Sequence, residues 1–128
     1  MDALLDTHTF LWYIEGNPKL GKQTKAILES SKNSLYFSIA SLWEISIKLG
    51  LGKLSLQNSF SELEGLLKQL QIEILPIAFA DTECYLSLPL YDRDPFDRIL
   101  IAQVINRSLV MLSQDTVFDA YAVQRLWN

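Results

Sequence analysis

Cysteine, histidine and long apolar runs are scarce in this sequence. The single cysteine, Cys84, excludes an internal disulfide and suits a reducing compartment, so we expect a cytoplasmic protein. The single histidine, His8, has no cysteine at a metal-ligand spacing, which argues against a zinc site. No apolar run has the length that a membrane span needs, and the amino terminus lacks the basic segment of a secretory signal peptide, so we expect no membrane partner.

Positive charge is also limited. Lys and Arg number 11 against 15 Asp and Glu, which gives a net charge of −4. This balance argues against a protein that binds nucleic acid through a basic surface alone. The objection weakens if carboxylates hold metal ions, because two divalent cations would add four positive charges. Apolar residues make up 49% of the 128 residues, so we expect a globular chain with one domain at 1–128.

Strand-like and helix-like segments alternate along the chain. Short runs of aliphatic, β-branched and aromatic residues predict strands at 1–5, 34–40, 72–76, 109–113 and 122–127. Apolar residues at helical spacing predict helices at 7–16, 19–32, 41–54, 59–70, 78–88 and 94–108. The alternation predicts an α/β fold of three layers, α/β/α, with a central, mostly parallel sheet of four to five strands.

Acidic residues fall where such a sheet brings distant segments together. The carboxyl ends of parallel strands and the amino ends of crossover helices share one edge, where ligands bind. Asp6 ends the first predicted strand, and Asp115 follows the fourth. Asp94 and Asp97 open the helix before that fourth strand, and Glu44 lies in the first two turns of the helix after the second. We therefore expect these acids to meet at one edge.

Each acid also has a simpler interpretation. Asp6, Asp94 and Asp115 each precede a helical segment and could act as an N-cap. Glu44 could form an i,i+4 pair with Lys48. Glu44 is explained least well in this way, because it lies on a mostly apolar helix and a partly buried carboxylate needs a better partner than a solvated lysine.

Clustered carboxylates repel one another and raise one another's pKa values, and a divalent cation relieves that repulsion. Oxygen-only ligands favour Mg²⁺ or Mn²⁺. The chemistry that uses such a cluster is metal-assisted phosphodiester hydrolysis, in which one ion activates water and a second, about 3.5–4 Å away, stabilises the leaving oxygen.

Four segments together resemble a known family. They are "LLDTHTFLW", "SIASLWEISIKLGLGKL", "DPFDRILIAQ" and "LSQDTVFDAY", and they are similar to PIN-domain ribonucleases, specifically VapC-like toxins of type II toxin–antitoxin systems. The resemblance covers nearly the whole chain in order. It implies a PIN-like fold in which Asp6, Glu44, Asp97 and Asp115 are both the catalytic residues and the ligands of Mg²⁺ or Mn²⁺.

The resemblance also implies supporting residues. Thr7 and Ser113 occupy small hydroxyl positions beside the acids, and Asp94 is the first aspartate of the Asp-Pro-Phe-Asp-Arg motif, where it caps the helix or supports the ligands. Arg98 and Arg93 are candidates for contacting phosphate or for pairing with these acids. Many relatives carry a histidine just before this motif, whereas Tyr91 and Asp92 precede Arg93 in this chain, so a substrate contact made by that histidine is not expected here.

The function implied is an endoribonuclease that hydrolyses RNA phosphodiester bonds, forms a homodimer and is silenced by a cognate antitoxin lying across its groove. The alternative is a catalytically inactive PIN-like module that binds RNA or protein, which the complete set of acids argues against. A phosphorylation receiver would need an aspartate where Pro76 ends the third strand. A haloacid-type phosphatase would need Asp-x-Asp where Asp6-Thr7-His8 stands.

Several large apolar residues leave their role open. Trp12, Trp43, Phe60 and Leu63 lie on amphipathic helices, where such residues usually form the core. Some of them could instead line a groove for an antitoxin helix. Trp127 could pack against the edge of the sheet or against a dimer mate.

Overall fold

Five parallel strands form one sheet in the computed structural model, which describes residues 1–128. The strands are β1 (Asp2–Leu5), β2 (Ser34–Ser38), β3 (Ile72–Leu75), β4 (Val110–Leu112) and β5 (Arg125–Leu126). The helices are α1 (Thr7–Glu15), α2 (Lys22–Glu29), α3 (Ile39–Gly50), α4 (Leu63–Gln69), α5 (Phe79–Ser87) and α6 (Pro95–Arg107), with 3₁₀ turns at Phe60–Glu62 and Thr116–Ala120. None of these helices combines the length and apolar character that a membrane crossing requires.

The strand order is β3-β2-β1-β4-β5. β2 and β3 therefore lie on one side of β1, and the chain then crosses over to place β4 and β5 on the other side. β1 pairs with β4 in register from Ala3 to Leu5, and the Asp6 amide donates to the Leu112 carbonyl at 3.1 Å. This reversal between β1 and β4 is the point in an open parallel sheet where a crevice forms outside the strand ends. The fold therefore places the residues that follow β1 and β4 beside each other.

The two faces of the sheet bury separate apolar clusters. Successive side chains of a strand point to opposite faces, and accordingly Leu5 lies in one cluster and Leu4 in the other. α1, α2, α3 and α4 supply buried residues such as Phe10 to the first cluster, whereas α6 supplies Ile101 to the second. Burying each such side chain contributes about 1.5–3 kcal/mol. The predicted three-layer α/β/α fold with a parallel sheet is confirmed.

Several predicted boundaries were wrong by two to four residues, and at two places the reason is local. The strand predicted at 34–40 ends at Ser38, whose hydroxyl accepts a hydrogen bond from the Ala40 amide at 3.1 Å and caps α3. α3 therefore begins at Ile39 and not at residue 41. The helix predicted from residue 19 begins at Lys22, because the chain at Gly21 is extended. The first correction matters for the site, because it fixes Glu44 in the second turn of α3.

Candidate active site

A cavity of about 500 Å³ opens at the carboxyl ends of β1 and β4. The four acids predicted to be catalytic all line it, and so does Asp94. They arrive from four separate parts of the chain: the end of β1, α3, the start of α6 and the segment after β4. The structure therefore brings the predicted acids into one cavity, while their roles as ligands and catalysts stay predictions.

Asp6 is held rigidly at the base of this cavity. It caps α1, because its Oδ1 accepts hydrogen bonds from the Thr9 amide at 2.8 Å and the Thr9 hydroxyl at 2.7 Å. Its Oδ2 accepts a hydrogen bond from the Ser113 hydroxyl. The side chain is 8% exposed. The capping role and a role in the cavity therefore coexist, since each carboxylate oxygen can accept more than one hydrogen bond.

Glu44 has two partners in the cavity. The Thr7 hydroxyl donates to its Oε1 at 2.7 Å, and Lys48 Nζ donates to its Oε2 at 3.0 Å. The Glu44 side chain is 14% exposed and that of Lys48 is 38% exposed. The i,i+4 pair expected from the sequence therefore forms, and the hydroxyl supplies the better partner that a partly buried carboxylate requires.

Asp97 lies among other carboxylates with no basic partner. Asp94 caps α6 by accepting hydrogen bonds from the Phe96 amide at 2.8 Å and the Asp97 amide at 3.3 Å. Burial, the neighbouring Asp92 carboxyl and the charges of Asp94 and Asp115 together raise the pKa of Asp97 to about 8, and burial is the largest of these causes. At neutral pH the Asp97 carboxyl is therefore mostly protonated in the cation-free protein.

Asp92 is a member of this cluster that sequence reasoning did not assign. Its Oδ1 accepts a hydrogen bond from the Asp94 amide at 3.1 Å, and its Oδ2 is buried without a hydrogen-bond partner. The one signal in the sequence was the run of three aspartates in "DRDPFD", which the capping interpretation explained only for Asp94. A buried carboxylate oxygen without a donor is costly, and no basic side chain forms an ion pair with Asp92, Asp94 or Asp97 at this end of α6.

Asp115 is tied to Asp6 through Ser113. Its amide donates to the Ser113 hydroxyl at 3.0 Å, and that hydroxyl in turn donates to Asp6. Its Oδ1 accepts a hydrogen bond from the Val117 amide at 3.0 Å and caps the 3₁₀ turn. Thr7, Ser113 and Asp94 thus each form a hydrogen bond to one of the four acids, while their supporting role stays a prediction.

Arg98 is placed differently from the prediction. Its guanidinium is buried and donates to the Pro89 carbonyl at 2.9 Å, the Asp92 carbonyl at 3.3 Å and the Tyr121 hydroxyl at 3.3 Å. It contacts no carboxylate and lies outside the cavity, so the expectation of a phosphate contact or an acid pair was wrong. Consecutive side chains of a helix point about 100° apart. The side chain of Arg98 is therefore directed away from that of Asp97 and toward the loop before α6, whose carbonyls it contacts.

Other side chains complete the cavity without having been predicted there. His8, which the sequence marked only as an improbable zinc ligand, is exposed and lines the cavity with its ring centroid 5.8 Å from that of Trp12. Gln114 and Thr116 line it beside Asp115. A single histidine on the first turn of α1 carries no distinguishing pattern in the sequence, so only the fold reveals its position.

The donor set fits a hard divalent cation in its chemistry. Every candidate ligand atom is a carboxylate or hydroxyl oxygen, which Mg²⁺ and Mn²⁺ prefer. The raised pKa of Asp97 marks the excess of negative charge that a cation would relieve. No three His, Cys, Asp or Glu side chains are grouped closely enough to hold one ion as they stand, so binding would draw the carboxylates together.

The PIN domain family model matches residues 3–124. The chain belongs to the PIN-domain family. No curated protein sequence matches it significantly. Among solved structures, VapBC2 from Rickettsia felis bound to a DNA fragment from their promoter is 18% identical, covers 100% of both chains and has a TM-score of 0.75.

Two further structures share the fold of this PIN-domain chain. FitAcB from Neisseria gonorrhoeae is 23% identical over 98% of this chain and 96% of that chain, with a TM-score of 0.66. VapBC-1 from nontypeable Haemophilus influenzae is 16% identical over 98% of this chain and 97% of that chain, with a TM-score of 0.69. At these identities the similarity establishes the fold alone.

Proposed function

We propose that this PIN-domain protein is a metal-dependent endoribonuclease that hydrolyses RNA phosphodiester bonds and acts as the toxin of a toxin–antitoxin pair. The observation that carries the proposal is the convergence of Asp6, Glu44, Asp97 and Asp115 on one cavity at the switch point of the sheet. The set is complete, which favours catalysis over the alternative of an inactive RNA- or protein-binding module.

The same four carboxylates would hold Mg²⁺ or Mn²⁺. When bound, such an ion supplies charge neutralisation at the phosphate and lowers the pKa of a water. Residues of the chain restrict the conformations of these carboxylates. Hydrogen bonds from Thr9 and Ser113 fix both oxygens of Asp6. The Thr7 hydroxyl fixes one oxygen of Glu44, and Lys48 pairs with the other. Binding would still draw the four carboxylates closer together, but the hydrogen bonds that restrict Asp6 and Glu44 reduce the side-chain entropy lost when the cavity is filled.

The acidic total does not oppose RNA as substrate. The carboxylates concentrated in the cavity contribute much of the net charge of −4. Divalent cations there would turn the most negative part of the surface into one that attracts phosphate. This reasoning predicts that RNA binding depends steeply on the divalent cation, whereas a protein with a basic surface binds RNA without it.

The test is cleavage of RNA in Mg²⁺ or Mn²⁺ by the parent protein, by Asp6→Asn and by Glu64→Gln. Glu64 is exposed on α4 and makes no ion pair, so its variant is the matched control for loss of one acid. We expect cleavage by the parent and the control and none by Asp6→Asn. Binding of RNA without cleavage by the parent would support the inactive module instead.

An antitoxin is the proposed partner, and the exposed face of α3 is its proposed docking surface. This α3 stripe consists of Ile39, Trp43, Ile47 and Leu51, which are spaced four residues apart and are all exposed. It extends about 18 Å along the helix that carries Glu44 into the cavity. One structure with the same fold is described as a toxin–antitoxin complex from Klebsiella pneumoniae, at 18% identity and a TM-score of 0.65. A segment that covers the α3 stripe would lie at the edge of the active-site cavity.

Co-purification tests this surface. The protein should copurify with the product of a small neighbouring reading frame that encodes a DNA-binding fold and a flexible tail. Trp43→Glu should abolish that association and leave cleavage of RNA intact, because Trp43 does not line the cavity. Retention of the partner by Trp43→Glu would show that the partner docks elsewhere.

A homodimer is proposed from a second exposed apolar surface. Phe79 and Leu86 lie seven residues apart on one face of α5, and Leu90 and Tyr91 follow it; they are 79%, 85%, 67% and 65% exposed. Monomeric proteins rarely expose so many large apolar side chains together. Light scattering should give a dimer for the parent and a monomer for Leu86→Glu. A monomeric parent would contradict this assignment.

A further inference from the structure

One wall of the acidic cavity is aromatic. Trp12 and Leu100 are the only hydrophobic side chains that line it, and Leu100 is almost fully buried. Trp12 is half-buried and stands beside the exposed His8, with 5.8 Å between the ring centroids and 47° between the planes. The two residues are four apart on α1 and so share one side of the helix. We call this pair the Trp12–His8 wall.

The wall is not part of the apolar core. α1 contributes Phe10 and Leu11 to the core, and both are buried. Trp12 instead packs edge-to-face against Trp127, with centroids 5.9 Å apart and 63° between the planes, and Lys19 Nζ lies over the Trp12 ring, 5.5 Å from its centroid. Lys19 covers one face of the indole, and Trp12 and His8 both line a cavity whose other lining residues are mostly acidic or polar. A large flat apolar surface in that setting is available to a flat ligand group.

A nucleobase is the group that fits this surface. Carboxylates repel the phosphates of RNA, but every base has an uncharged π-face that stacks on tryptophan or histidine. In a duplex that face is already covered by neighbouring bases, whereas in a single strand it can be turned outward. We propose, resting on the function proposed above, that the Trp12–His8 wall stacks an unpaired base next to the phosphodiester in the cavity.

Binding to base-bearing and abasic RNA tests the proposal. Asp97→Asn is used as the background, so that the oligonucleotide is not cut. Stacking of one base contributes about 1–3 kcal/mol, so Trp12→Ala should weaken binding of a short single-stranded oligoribonucleotide by about 5- to 150-fold. Trp12→Phe should retain most of the affinity. An abasic oligomer of the same length should bind weakly and equally to all variants.

Phe60→Ala is the matched control, because Phe60 is an exposed aromatic residue that does not line the cavity. It should bind RNA as the background protein does. Equal affinity of Trp12→Ala and Trp12→Phe for base-bearing RNA would overturn the proposal. So would equal affinity of the background protein for a duplex and a single strand.

Fluorescence gives a measurement that does not require Trp12 to be removed. The chain has three tryptophans, so Trp43→Phe with Trp127→Phe leaves Trp12 as the only one. Titration with the oligoribonucleotide should quench this fluorescence, and the abasic oligomer should not. Absence of quenching at saturating RNA would contradict stacking on Trp12 even if Trp12→Ala proves unstable.

The proposal of a nuclease and the proposal of base stacking can be refuted independently. If the parent protein cuts RNA but the variants show no dependence on the base, the stacking wall is wrong and the nuclease stands. If the parent binds RNA in the base-dependent way described but never cuts it, the nuclease is wrong and the wall stands.

Discussion

Asp81, which is buried, and Asp97, which is half-buried, lie near opposite ends of α6 and differ sharply in their surroundings. Asp81, at the start of α5, packs beside the carboxyl end of α6 and accepts hydrogen bonds from Arg107, Asn106, Gln103 and the Ala78 amide. Burial alone would raise its pKa, but these donors together outweigh burial and hold the pKa at about 2. Asp97, at the amino end of α6, has carboxyl neighbours in place of donors, and its pKa is about 8.

The difference teaches that burial does not decide the state of a carboxyl group; its partners do. The donors around Asp81 compensate its negative charge, so Asp81 stabilises the packing of α5 on α6. Its oxygens already accept hydrogen bonds from the protein and are not free to bind a ligand. Asp97 is left uncompensated by the chain. A protein retains such unrelieved repulsion at a site where something else supplies the missing positive charge. This contrast supports a structural role for Asp81 and a functional one for Asp97.

The largest difference between Asp97 and Asp81 is expected in the rate of RNA cleavage. Asp97→Asn should lower RNA cleavage by at least about 100-fold, comparable to loss of one charge-stabilising group in an active site. Asp81→Asn should leave cleavage by the folded protein within a few-fold of the parent. Initial rates at saturating Mg²⁺ or Mn²⁺ measure both. Similar losses in the two variants would remove the distinction between a functional and a structural carboxylate.

Stability should reverse that order. Asp81→Asn leaves Arg107 facing a neutral amide, and loss of a buried ion-pair partner destabilises a fold by about 2–3 kcal/mol when the remaining charge is partly exposed. Asp97→Asn should not destabilise the cation-free protein, because it replaces a carboxyl that is mostly protonated at neutral pH with a neutral amide of nearly the same size. Urea unfolding in the presence of a chelator gives both free energies. Greater loss of stability in Asp97→Asn than in Asp81→Asn would contradict the comparison.

Acid should separate the two groups by sign. The folded pKa of Asp81, about 2, lies below the usual value of about 3.9, so its stabilisation of about 2 kcal/mol is present above pH 4 and lost as the pH falls toward 2. The folded pKa of Asp97, about 8, lies above the usual value, so its contribution is present below pH 4. That contribution is lost as the pH rises toward 8.

Unfolding of the cation-free parent across pH 4–8, compared with Asp97→Asn, isolates the second effect. The parent should lose on the order of 1–2 kcal/mol relative to the variant over this range, once solvent screening is allowed for. Parallel curves for the two proteins would mean that Asp97 titrates normally.

Much of the site could be predicted because its determinants are local or periodic. The capping positions of Asp6, Asp94 and Asp115 follow from their place before helical segments, and all three caps form. The convergence of these acids with Glu44 and Asp97 follows from the alternation of strands and helices, since a parallel sheet puts those positions at one edge. Neither step requires knowledge of side-chain packing.

The parts that could not be predicted depend on how α5 packs against α6. The segment "ADTEC" indicated a helix, and nothing in it marked Asp81 as the centre of a buried hydrogen-bond network with residues more than 20 positions later. Arg98 was expected at the cavity because it follows Asp97, but the turn of the helix directs it to the loop before α6. Long-range polar contacts of this kind have no periodic signal in a single sequence.

Glu44 gives the smallest and most graded test, because its partners are intermediate between those of the two aspartates. Lys48 is partly exposed, so Lys48→Met should change the free energy of unfolding by less than about 0.5 kcal/mol. The same change removes a positive charge from the cavity and frees one Glu44 oxygen, so Mn²⁺ measured by calorimetry should bind a few-fold more tightly. Lys68→Met, which removes an exposed lysine of α4, should alter neither quantity. An unchanged or weaker Mn²⁺ affinity in Lys48→Met would show that Lys48 does not compete with the cation for Glu44. In that case, the donors and positive charges around a carboxylate would not predict whether it can bind a ligand.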